Sequence, residues 1–121
     1  MAEQDYMIDY EAFQNNFRKT EVSGEEVGEL VMKMAGYYAR YNIRLSDALR
    51  DYSLVLADYQ NQSDPTTGKA MSSSKAETLA GSTQEAARYQ LARIHVQNIE
   101  QYINALKSLQ KGVLQEYANS A

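Results

Sequence analysis

Lys69, Lys75, Arg88 and Arg93 are the side chains in this 121-residue chain with the most to offer a ligand, because Tyr89 stands between the two arginines. Cations beside an aromatic ring suit a single nucleic-acid strand: the charges track the phosphates and the ring stacks on a base. Four cations per subunit make a thin site. The same four repeated around a ring of subunits make a sizeable one through avidity. The alternative for the same residues is solvated charge around a packed tyrosine.

Other chemistries are poorly served. There is no cysteine, so neither a disulfide framework nor thiolate catalysis is open to the chain. The one histidine, His95, falls on the apolar stripe of a helix, and as a base it would need both a hydroxyl and an orienting acid. It reads as a packed or interface residue. A carboxylate metal site of the Glu-x-x-His kind is excluded by Ala92, which stands three residues before His95. Asp47 and Asp51, flanked by Arg44 and Arg50, read as surface ion pairing. Thr66-Thr67-Gly68-Lys69 resembles a phosphate loop only superficially: Ser63 stands where the first glycine is needed, and Ala70 where a Ser or Thr must follow. The expectation is a non-enzymatic protein without metal or cofactor.

Charge separates the two halves of the chain. Its net charge is −4. Residues 1–64 carry six basic and twelve acidic side chains; residues 65–121 carry six basic and four acidic. The acidic balance argues against tight duplex binding, where phosphate neutralisation dominates, while the second half leaves room for a local basic patch. The acidic start Met1-Ala2-Glu3-Gln4-Asp5 is not a signal peptide, and no apolar run approaches the roughly 20 residues of a membrane span. A cytoplasmic protein with no membrane partner is expected.

The elements that must position these residues are helices. Val27, Val31, Met34, Tyr38, Tyr41, Leu45, Ala48, Tyr52, Val55 and Tyr59 recur at alternating spacings of four and three, the seam of a helix packed lengthwise on another. Ser23 with Glu26 forms a capping box, so this helix is predicted over 24–60. A polar loop follows at 61–74, with a short helical turn at 75–80 opened by Ser74 and Glu77. Ser82 with Glu85 repeats the box and starts a helix over 83–117, whose stripe includes Leu91, His95, Ile99, Tyr102, Leu106, Leu109 and Val113. A first helix over 4–18 places Tyr6, Tyr10, Phe13 and Phe17 on one face. It is too short to stand alone and must dock on the chain or on a neighbour.

The predicted fold is therefore all-α and one domain: a long, coiled-coil-like antiparallel helical hairpin with a short N-terminal helix. One partner helix covers one seam, which leaves flanking apolar positions over. Leu30, Tyr37, Leu49 and Leu56 on one helix, and Ile94, Ile103 and Leu114 on the other, are expected with the first helix's four aromatics to form an oligomer interface. Ten tyrosines against two phenylalanines and no tryptophan suit a contact surface that is partly wet.

One stretch resembles a known family. Lys75-Ala76-Glu77-Thr78-Leu79-Ala80, Ser82-Thr83-Gln84-Glu85-Ala86-Ala87, Tyr89-Gln90-Leu91 and Ile103-Asn104-Ala105-Leu106-Lys107-Ser108-Leu109 give a lysine-bearing loop, a helix restart and a long amphipathic helix ending in a leucine–lysine segment. That layout is similar to the UvsY recombination mediators of T-even phages. The resemblance implies a ring-shaped homo-oligomer in the cytoplasm of a bacterial host. Such a ring would bind single-stranded DNA and help load a recombinase onto strands covered by single-strand-binding protein. It carries Lys75, Arg88 and Arg93 over as the basic contacts. The reading of another class is a structural or adaptor protein that binds proteins through its apolar helical faces and touches no nucleic acid.

Overall fold

The protein is described by a computed structural model over residues 5–19 and 22–120, with side chains over 5–17 and 22–115. It is all-α: α1 (Asp5–Lys19), α2 (Gly24–Gln60), α3 (Ser73–Ala80) and α4 (Gln84–Ser120), with no β-strand among the described residues. Gln4, the expected start of the first helix, lies outside them. The two long helices have 37 residues each, about 55 Å at 1.5 Å per residue.

Helix starts follow from hydroxyl caps. Ser23 Oγ accepts the Glu26 amide at 3.1 Å, as the capping box requires, and Glu25 and Glu26 occupy the first turn, where the macrodipole favours them. The other two caps differ from expectation. Ser72, not Ser74, caps α3: its backbone is extended and its Oγ accepts the Lys75 amide at 3.2 Å. Thr83, not Ser82, caps α4 by accepting the Ala86 amide at 3.3 Å. Ser82 instead donates to the Thr78 carbonyl at 3.3 Å, closing the end of α3. In runs such as Ser72-Ser73-Ser74 and Ser82-Thr83 every hydroxyl is a candidate cap, and backbone geometry selects the one that reaches the N3 amide.

The chain forms two compact units, one of Met1–Arg40 with Gln97–Ala121 and one of Tyr41–Val96. In the first, the α2 and α4 segments run antiparallel: Gln110 Nε2 donates to the Gly24 carbonyl at 3.2 Å, and Tyr38 Oη donates to Glu100 Oε1 at 2.7 Å. Gly28 leaves room for this arrangement, since a Cβ there would stand 2.8 Å from Gln110 Nε2. Val27, Met34, Ile99 and Leu106 are sealed in the core. Helix α1 docks through Tyr6, which has no exposed surface and meets the rings of Tyr37 at 6.5 Å and Tyr102 at 5.9 Å. Tyr10 stacks on Tyr102 at 4.0 Å. A polar latch completes the docking: the Tyr37 hydroxyl donates to the Asp9 carboxylate, which Lys33 Nζ also reaches at 3.0 Å.

In the second unit the α2 and α4 segments are again antiparallel, with Tyr41 against His95 at 5.5 Å and Tyr52 against Tyr89 at 5.6 Å. Its core is built mostly from small side chains, Ala48, Ala76, Ala80 and Ala86, with Tyr41, Met71 and Val96. Across both units, every residue of the four–three seam is buried or half-buried.

Candidate nucleic-acid interface

The turn between α3 and α4 builds the site. Gly81 closes α3 by donating its amide to the Glu77 carbonyl at 2.9 Å, and a Cβ there would press within 3.2 Å of that oxygen. The Thr83 hydroxyl donates to the Ala80 carbonyl at 2.6 Å while capping α4, so the two helices meet in one fixed corner. Beside the corner lies an open cleft of about 280 Å³, lined by Tyr52, Tyr89, Gln90 and the Gly81-Ser82-Thr83 turn. Tyr52 and Tyr89 are offset-stacked, their planes 11° apart. Arg93 places its guanidinium 5.6 Å from the Tyr89 ring centroid.

The cleft therefore offers two aromatic rings, hydroxyls and the amino end of a long helix, with a cation on one ring. Anionic groups are favoured at the helix start, and the two rings are stacked on each other with Arg93 over Tyr89. Tyr52 is the contributor that motif reading missed. It sits in the heptad seam of α2, and only the placement of α4 turns it into a partner for Tyr89.

The five sequence-predicted contact residues are placed differently from one another. Tyr89 and Arg93 are brought together at the cleft. Arg88 is exposed, with its Nη1 3.8 Å from Asp51 Oδ2. Lys69 is exposed in the loop between α2 and α3. Lys75 is engaged: its Nζ donates to Asp64 Oδ1 at 2.7 Å and to Thr66 Oγ1 at 3.2 Å. Residues 41–96 carry six basic and six acidic side chains, so this unit is electrically balanced.

The expected interface residues also divide. Tyr6 and Tyr37 are buried within the chain, the latter against α1. Tyr10, Phe13, Leu30, Leu56 and Ile103 are half-buried, and Phe17, Leu49, Ile94 and Leu114 are exposed. Tyr10, Phe13 and Phe17 line a second cleft of about 220 Å³ together with Leu106 and Leu109. Met32, Ile43 and Leu54 were not expected here and are the most exposed large apolar residues of α2, at 77%, 64% and 60%.

His95 is half-buried against Tyr41. Arg50 approaches Asp47 at 3.6 Å and Asp51 at 3.8 Å, while Arg44 lies over the Tyr41 ring at 4.6 Å. Among the described residues no group of three or more His, Asp or Glu could hold a metal ion, and no helix is long and apolar enough to cross a membrane. No family model, no curated protein and no solved structure matches the chain.

Proposed function

We propose that this protein is a non-enzymatic, homo-oligomeric single-stranded-DNA-binding accessory of the phage recombination-mediator type. The observation that carries the reading is the stacked Tyr52–Tyr89 pair at the mouth of the α3–α4 cleft, with Arg93 against it. A base of any identity that opens the pair would find a ring to stack on, and Arg93 with exposed Arg88 and Lys69 would supply charge for phosphates. One site per subunit binds weakly; repetition around an oligomer supplies the affinity. The architecture this requires is one continuous antiparallel hairpin of α2 and α4, assembled with further copies.

The test is binding of a fluorescent oligothymidylate by wild type, Tyr89→Leu and Arg93→Gln. Stacking on an aromatic ring is worth about 1–3 kcal/mol per base, so Tyr89→Leu should weaken binding by about tenfold. Arg93→Gln should lower the slope of log K against log salt by about 0.7. Unchanged binding in both variants contradicts this site.

The adaptor reading is favoured by a different observation, the exposed Met32, Ile43 and Leu54 on α2. It requires no nucleic acid and predicts that both variants behave as wild type. Light scattering tests assembly apart from ligand: a mass that is a multiple of 13.7 kDa is expected, and a strict monomer contradicts the oligomer.

A further inference from the structure

The loop between α2 and α3 has the composition of a flexible linker, yet it is folded. Ser63 and Ala70 form an isolated antiparallel bridge. The Asp64 amide donates to the Lys69 carbonyl at 2.7 Å, the Gly68 amide to the Asp64 carbonyl at 2.7 Å, and the Met71 amide to the Gln62 carbonyl at 3.2 Å. Gly68 supplies the positive φ of +72° that the turn needs. At the centre is Asp64, the one buried charged residue among those described. Its Oδ1 accepts the Thr66 amide at 2.8 Å and Lys75 Nζ at 2.7 Å.

We propose that Asp64 and Lys75 form a staple that positions the wall of the tyrosine cleft, and that Lys75 is a positioning residue and not a phosphate contact. The inference rests on the single-strand reading for its functional consequence, though not for the staple itself. Lys75 stands in the first turn of α3, and the Gly81-Ser82-Thr83 turn at the other end of α3 is the cleft wall. A helix of eight residues has no stability of its own, so its placement is set by the packing of Ala76 and Ala80 and by what holds its ends. One end is held by the Thr83–Ala80 and Ser82–Thr78 hydrogen bonds, and the other by the staple. A phosphate that drew Lys75 away would leave the Asp64 carboxylate buried without its cation, a cost that exposed Arg88 and Lys69 do not carry.

The two roles predict opposite signs. If Lys75 met phosphate, removing the Asp64 charge would free it and tighten binding, while loss of Lys75 would lower the salt slope by about 0.7. If the pair is a staple, Asp64→Asn, Lys75→Met and the double variant should all weaken binding, Lys75→Met the most because it leaves the Asp64 charge unpaired. The experiment measures amide exchange without DNA and oligothymidylate binding across a salt series, on wild type, these three variants and Lys75→Arg.

We expect all three neutral variants to speed exchange across 62–71 and at Gly81–Thr83, Lys75→Met the most. Each should weaken binding several-fold with the salt slope unchanged, and Lys75→Arg should restore protection. Tighter binding by Asp64→Asn, or a lowered slope for Lys75→Met, would overturn the assignment. So would unchanged exchange at Gly81–Thr83. If wild type binds no strand, the functional reading fails, and the exchange data still decide whether the staple sets the wall.

Discussion

At the scale of single residues, tyrosine hydroxyls carry much of the specificity of this molecule. Tyr37 is held among α1, α2 and Asp9, where burial and then the Asp9 carboxylate push its hydroxyl up to about 12. The same hydrogen bond, with Lys33 beside it, holds Asp9 below the usual carboxylate range. The raised Tyr37 value fixes a pH dependence. Its contribution to α1 docking is complete below the ordinary tyrosine value of 10.0 and fades as pH rises through about 12. An ultraviolet tyrosinate titration should therefore show the Tyr37 hydroxyl ionising near that upper value, with Tyr102 also raised by its burial. The phase should be absent from Tyr37→Phe, which should also lose about 1 kcal/mol at neutral pH. If Tyr37→Phe keeps the late phase and the stability of wild type, the latch has no energetic role.

At the scale of elements, periodicity and local capping decide what can be read in advance. The Gly24 start, the Gln60 end and the burial of every seam residue follow from a 3.5-residue repeat and one capping box, both local in sequence. The α3 and α4 caps move by one or two residues because neighbouring hydroxyls are equivalent in sequence and differ only in backbone conformation. The folding of the 61–72 segment is not legible at all, since its key contact joins residues eleven apart across polar sequence. Tyr89 with Arg93 is visible as a motif, whereas Tyr52 joins them only through packing of α2 on α4. Gly36 belongs to this scale too. A Cβ there meets nothing within 4 Å, so the glycine only costs α2 backbone entropy. Gly36→Ala should stabilise the fold by about 1 kcal/mol in thermal or urea unfolding. A destabilised variant would contradict the open space at this position.

At the scale of the whole molecule, charge and apolar surface pull toward different functions. The chain is acidic, with a net charge of −4, and its cleft-bearing unit balances six cations against six anions. Any grip on a polyanion must therefore come from local placement and repetition. On the proposed reading, exposed apolar side chains such as Ile43 and Leu54 would carry assembly, and the Tyr52–Tyr89 pair would receive a base in each copy. Assembly without a strand would leave an adaptor, and a strand without assembly would be held too weakly to matter. The most direct measurement is fluorescence anisotropy of a labelled single strand with the wild-type protein, from low to high salt and beside the matching duplex. The account predicts saturable binding to the single strand at low salt, weakening linearly in log K as log salt rises, with the duplex bound less well. No binding of the single strand at low salt would contradict it.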